Sequence, residues 1–206
     1  MKNLEHFIDV YINEKDKAKP AKTKFFSKSL TENIEFFKRK FSQSADFSLK
    51  YLNLGQTPCA IISIAGMISK DTLTQSVLLP IINFDIKGKT GEEKFNFIKD
   101  NLVVACDQTQ VSNFEDAFNM IMSGFALFAV DGYDSMLALG VQGFSFRSIS
   151  EPASELMQRG SREGFIEALM VNLSLIRRRI KSTDLKFELM QLGKVSKTSI
   201  CLCYLE

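Results

Sequence analysis

Glu151 and Glu155 are four residues apart, as a carboxylate pair for acid/base work would be, and Arg147, Arg159 and Arg162 bring cations to the same stretch. No nucleophile, metal ligand or second catalytic group accompanies them, so ion pairing with Arg147, Arg159, Arg162 or Arg179 is the favoured reading. Just downstream, Arg159-Gly160-Ser161-Arg162-Glu163-Gly164 puts glycines and cations ahead of a helix, where free N–H groups and the helix dipole favour an anion. The run lacks the Lys-Ser/Thr of a P-loop. Glu163, on the first turn, supplies a negative charge of its own, which favours an internal salt-bridge network over a bound anion. Arg177-Arg178-Arg179 complements a helix C-terminus, and the aromatic residues of a nucleic-acid platform do not flank it.

The remaining chemistry-bearing residues are sparse. Cys59, Cys106, Cys201 and Cys203 show neither CxxC spacing nor a matched histidine cluster and read as reduced core residues; the single histidine, His6, leaves no set for a zinc site or a Ser-His-Asp triad. Lys+Arg of 26 against Asp+Glu of 24 creates no global field that would recruit nucleic acid. The expectations are no catalysis, no metal, no cofactor and no nucleic-acid partner. Ten residues remain as ligand- or interface-binding candidates: Arg147, Glu151, Glu155, Arg159, Arg162, Glu163, Asn172, Arg177, Arg178 and Arg179.

One long amphipathic helix, at about 163–180, has to position most of these. With Phe165 as zero at about 100° per residue, Leu169, Leu173, Ile176 and Ile180 fall within about 80° of it, a single core-facing stripe. Asn172 and Arg179 share that stripe, while Arg177 and Arg178 point away. A buried Asn172 must bond main-chain groups of the adjoining segment, and a buried Arg179 or Arg162 must pair with Glu151 or Glu155.

Elsewhere the pattern alternates between helix and strand. Ser29-Leu30-Thr31-Glu32 opens a helix to about Phe41, followed by strands at Phe47–Leu54 and Cys59–Ala65. A helix over Lys70–Ile82 meets Pro80, which should end or bend it, and a loop spans Asp85–Gly91. Helix resumes near Glu92, with a strand at Leu102–Cys106 and an Asn113-capped helix to Ser123. A hairpin-like pair at Phe125–Val130 and Ser135–Val141 leads to an extended piece at Phe144–Ser148, and after the long helix come strands at Asp184–Leu192 and Thr198–Leu205.

Glu32–Phe41 aligns with Val171–Ile180, sharing an Asn and a basic triplet, and in each copy an Asp and a Leu-Gly follow. The expected fold is therefore α/β, in two small α/β lobes related by an internal helix-strand-strand repeat. The divisions expected are a basic N-terminal arm at 1–28, solvated and partly frayed, a first lobe at 29–145 and a second at 146–206. In the first copy a glycine and a helix follow the second strand; the second copy reaches Glu206 directly after it, so a continuation is expected there. Met1–Lys17 lacks the apolar run of a secretory signal, and no run within the 206 residues is long enough to span a bilayer.

Arg147–Glu155, Arg159–Glu167 and Asn172–Ile180 together closely resemble the A subunit of bacterial spore germinant receptors, the GerA family, with weaker likeness back to Glu32-Asn33. Ser161 stands where the family usually has proline, and Ile64–Ser69 lacks the acidic residues often found around its glycine. The resemblance implies the soluble N-terminal domain of a receptor subunit in the spore inner membrane, on the cytoplasmic (spore core) side, ahead of a multi-pass membrane region. It implies roles in germinant sensing, receptor assembly and signal coupling. The partners implied are B- and C-type subunits, further copies in a homo-oligomer, and a small nutrient germinant such as an amino acid or sugar. The alternative is a stand-alone small-molecule or anion-binding α/β protein without catalysis.

Overall fold

A computed structural model describes residues 23–84, 86, 90–103, 106–143 and 164–206. Helix α1 (Leu30–Lys40) starts where the Ser29 side chain accepts from the Glu32 N–H, and its last turn carries Lys38, Arg39 and Lys40 against the negative end of the dipole. Leu30, Ile34 and Phe37 recur at helical spacing and are buried. The hairpin of β1 (Phe47–Leu54) and β2 (Thr57–Ile64) follows, turning at Gly55.

Helix α2 begins at Lys70–Leu73 and runs through a π-helical turn, Thr74–Leu78, into Leu79–Asn83. Pro80 neither ends it nor stands in a regular α-helical ladder: the wider turn directly before it relieves the missing N–H and the clash of the ring with the preceding turn. Helix α3 (Gly91–Phe97) is opened by a capping box between Thr90 and Glu93 and widens over Ile98–Leu102. Then come β3 (Gln108–Val111), α4 (Phe114–Met122), β4 (Ala126–Val130) and β5 (Met136–Leu139).

These strands form an antiparallel sheet in the order β1-β2-β4-β5-β3. Alternate residues of β2 and β4 go to opposite faces. Ala60, Ile62, Ile64, Leu127 and Ala129 meet α1 and α4; Cys59, Ile61, Phe128 and Val130 meet α2 and α3. With helices over both faces, β4 and β5 are buried along their whole length, which is why they read as continuous apolar runs.

The second unit consists of α5 (Leu169–Arg179), β6 (Leu185–Leu192) and β7 (Thr198–Leu205), the two strands forming their own antiparallel sheet. It repeats the first helix-strand-strand path, with a longer turn between its strands. Ala65 N–H donates to Asp46 O across the base of the first hairpin, and Glu206 N–H donates to Asp184 O across the second.

Three expectations need correction. The long helix begins at Leu169, not near 163, and Phe165 stands outside it, 69% exposed. Where a strand is expected at Leu102–Cys106, Leu102 instead ends the π-helical turn and Val103 is buried against the core, and residues 104 and 105 lie outside the described residues. The strand is Gln108–Val111, an edge strand whose exposed polar residues carry no apolar alternation and whose place is set by its ladder with β5. The arm also ends sooner than Lys28: Phe26 is buried, and its N–H donates to Ser112 O. The strand expected at Phe144–Ser148 lies outside the described residues.

Candidate functional site

The largest fully buried side chain among the described residues is a cation, Arg177 on α5. Its Nε donates to Asp46 Oδ2 at 2.8 Å and its Nη2 to Asp46 Oδ1 at 3.0 Å, a two-pronged pair across the two units. Nη2 also donates to Ser44 Oγ at 3.0 Å, Nη1 donates to Ser182 O at 2.8 Å, and Ser44 Oγ in turn donates to Asp46 Oδ1 at 2.6 Å. The Phe187 ring closes the remaining side, 4.7 Å from the guanidinium carbon. Arginine suits this place because its planar fork matches the carboxylate and its charge is permanent.

The stretch between α1 and β1 is held at further points by the second unit. Ala45 N–H donates to Phe187 O at 2.9 Å. Lys186 on β6 is buried and donates to Lys40 O at 2.8 Å, a cation on the last carbonyls of α1. Its ammonium also lies 3.3 Å from Glu206. The Tyr204 hydroxyl donates to Glu188 and lies 3.0 Å from the side-chain amide of Gln43, a residue at φ 63°. That carboxylate bond, then partial burial and the nearby negative charge, push the Tyr204 hydroxyl up to about 12. On the other side of α5, Gly66 at φ 84° comes so close that a Cβ would stand 3.2 Å from Met170 O and 3.3 Å from Ser174 Cβ.

The joint is closed chemistry: the carboxylate and guanidinium consume each other, and no buried side-chain polar atom among the described residues lacks a partner. Beside it a cleft of about 560 Å³ opens between Gly66, Ser69, Gly143, Met170 and Ser174. No group of three or more His, Cys, Asp or Glu among the described residues could hold a metal. Among the cysteines, Cys59 is buried and its thiol is raised to about 12 by that burial, whereas Cys203 is exposed, contrary to its reading as core.

This arrangement can be set against known proteins. The profile of the family described as Bacillus/Clostridium GerA spore germination protein matches residues 35–206. The chain belongs to the GerA family. It is 31% identical over 196 residues to spore germination protein KA of Bacillus subtilis (strain 168), an alignment covering 94% of this chain and 35% of that protein. To spore germination protein B1 of the same organism it is 28% identical over 181 residues, 86% of this chain and 36% of that one. The chain thus spans about a third of the length of these GerA-family relatives. Its fold matches the crystal structure of the N-terminal domain of the A subunit of the Bacillus megaterium spore germinant receptor GerK3. The TM-score is 0.68 at 25% identity, over 90% of this chain and 68% of that one.

Of the ten candidate residues, Arg147, Glu151, Glu155, Arg159, Arg162 and Glu163 lie outside the described residues, and so do Glu151 and Glu155 as partners of the pair expected with Arg179 or Arg162. Asn172 is half-buried and bonds the main chain of the adjoining segment: Oδ1 accepts from Ile166 N–H at 2.8 Å and Nδ2 donates to Ile166 O at 2.7 Å. The expectation for the arginines is reversed. Arg177 is the buried one, Arg178 is half-buried and Arg179 is exposed. Asp46 appeared in the sequence only as a marker of the repeat. The signal that points to Arg177 is a second stripe of Met170, Ser174 and Arg177 at i, i+4, i+7, about 120–180° from Phe165, facing the first unit.

Proposed function

We propose that these residues form the soluble N-terminal domain of a spore germinant receptor A subunit, preceding a multi-pass region in the spore inner membrane and facing the spore core. In this reading the domain contributes to nutrient sensing, to assembly with B- and C-type subunits and further A subunits, and to passing a signal towards the membrane, without catalysis. The observation that carries it is the two-pronged Arg177–Asp46 pair, which joins two units of a fold shared with a receptor's N-terminal domain. A signal between domains needs an element with a fixed geometry that both sides can bias, and a buried, fully bonded ion pair fixes geometry more strictly than apolar contact.

The test is made in spores. Replacing Arg177 by Met in the intact receptor should cut the germination response to its amino-acid or sugar germinant, taken per subunit present as measured by immunoblot of the spores, at least about tenfold, a coupling loss of about 1.4 kcal/mol. A full response in the variant contradicts the coupling role, and a full response in spores lacking the gene contradicts the receptor reading. Titrating the domain with amino acids and sugars, followed by NMR shifts, separates holding a germinant, with shifts around Gly66, Ser69 and Ser174, from coupling alone, with none.

A further inference from the structure

Comparison of the two copies points to a docking surface on the second. In the first copy Leu52, Leu54, Cys59 and Ile61 lie under the layer made by α2 and α3. The repeat places Met190, Leu192, Ile200 and Leu202 at the same positions of the second hairpin, fixed by the equivalent end pairs Phe47–Ile64 and Leu185–Leu205. All four are apolar. Yet Met190 is 40% exposed, Leu192 55% and Leu202 52%, with Ile200 only partly covered. The edges differ in the same way. β2 is paired on its outer side from Cys59 to Ile62 by β4, whereas the corresponding stretch of β7, Ile200–Cys203, pairs only with β6 among the described residues. β7 carries none of the devices that keep a free edge from pairing, having no charge, proline or bulge along its eight residues.

We infer that this face and edge dock a helix and an antiparallel strand of the same polypeptide: the helix crosses Met190, Leu192 and Leu202, and the strand pairs with Ile200–Cys203. The occupant is chosen by the first copy, where the segment succeeding β2 supplies both the covering helix and, further on, β4. The inference rests on the reading above that the 206 residues belong to a longer receptor subunit, in keeping with relatives about three times as long. A second copy of the chain fits less well, since pairing between two β7 edges would leave the Met190–Leu202 face uncovered.

Hydrogen–deuterium exchange of residues 198–205 tests this in the full-length subunit and in the 206-residue chain. Exchange should be at least about tenfold slower in the full-length protein, at every concentration, and Met190→Lys with Leu202→Lys should abolish the difference while leaving exchange of β4 unchanged. Equal rates in the two polypeptides overturn the inference. Protection of the 206-residue chain that grows with its concentration also overturns it, assigning the face to a second copy. The readout does not involve germination, so a receptor without nutrient response can still show the protected edge, and a responsive one can lack it.

Discussion

Lys38 and Arg177 occupy the same place on equivalent helices and have opposite fates. Lys38 is exposed, its ammonium 5.8 Å from the Tyr51 ring, while Arg177 is completely buried on Asp46. Their acidic counterparts divide in the same way, Asp46 buried and Asp184 exposed. Local sequence therefore does not decide whether such a charge is buried; the packing of one copy on the other does. Since the copies meet through different faces, only one of the two possible Lys/Arg–Asp pairs is closed. Burial of that one pair does not by itself add stability over an apolar contact, but its loss leaves an uncompensated charge, which makes it a specific joint.

The sharpest way to break the comparison is to exchange these fates. Arg177→Met should destabilise the chain by about 3–5 kcal/mol, because Asp46 is left buried without its cation, whereas Lys38→Met should change stability by under about 0.5 kcal/mol. Urea unfolding followed by circular dichroism measures both; equal costs would mean that the joint is no different from a surface pair.

Glycine positions give the next largest contrast. Gly55 and Gly66 both have left-handed backbone, but a Cβ at Gly55 meets open space and one at Gly66 presses on α5. Gly55→Ala should cost about 1 kcal/mol for the conformation alone, and Gly66→Ala about 2–3 kcal/mol, with altered NMR shifts at Met170 and Ser174. A cost at Gly66 no larger than at Gly55 would remove the close approach from the account.

The two asparagines test where the copies agree. Asn33 bonds both main-chain groups of Ser27, as Asn172 does those of Ile166, each stapling the incoming chain to its helix. Asn→Ala at either should cost about 1–2 kcal/mol, somewhat more at Asn33, which is fully buried. The smallest effect concerns the caps: Ser29 caps α1, but Ala168, at the equivalent position with φ −83° and ψ 101°, offers no side-chain acceptor. Ala168→Ser should stabilise by about 0.5–1 kcal/mol, and Ser29→Ala should destabilise by a similar amount. A chain whose melting temperature falls with Ala168→Ser would show that the second helix starts elsewhere.

The helices, both hairpins and the repeat were legible because they rest on local signals: capping residues, spacing of Leu, Ile and Phe, and turn glycines. The π-helical turn before Pro80 and the polar edge strand Gln108–Val111 were not, since each is imposed by neighbours in space. The arginine error has the same origin. A helical wheel anchored on Phe165 allows one buried face, but α5 touches two bodies: Leu173 faces Leu185 and Phe187, while Ser174 meets Gly66 and Arg177 meets Asp46. Asn172 was read correctly because its partner is only six residues away, whereas the partner of Arg177 is 131 residues away.

A double-mutant cycle on Arg177→Met and Asp46→Ala, read by urea unfolding, tests most directly whether this pair joins the two units. Each single change should cost about 3–5 kcal/mol and the double change about 1–2 kcal/mol more than either alone, an interaction energy of about 2–3 kcal/mol. Costs that add to within about 0.5 kcal/mol would contradict the account, because residues that act independently are not a joint.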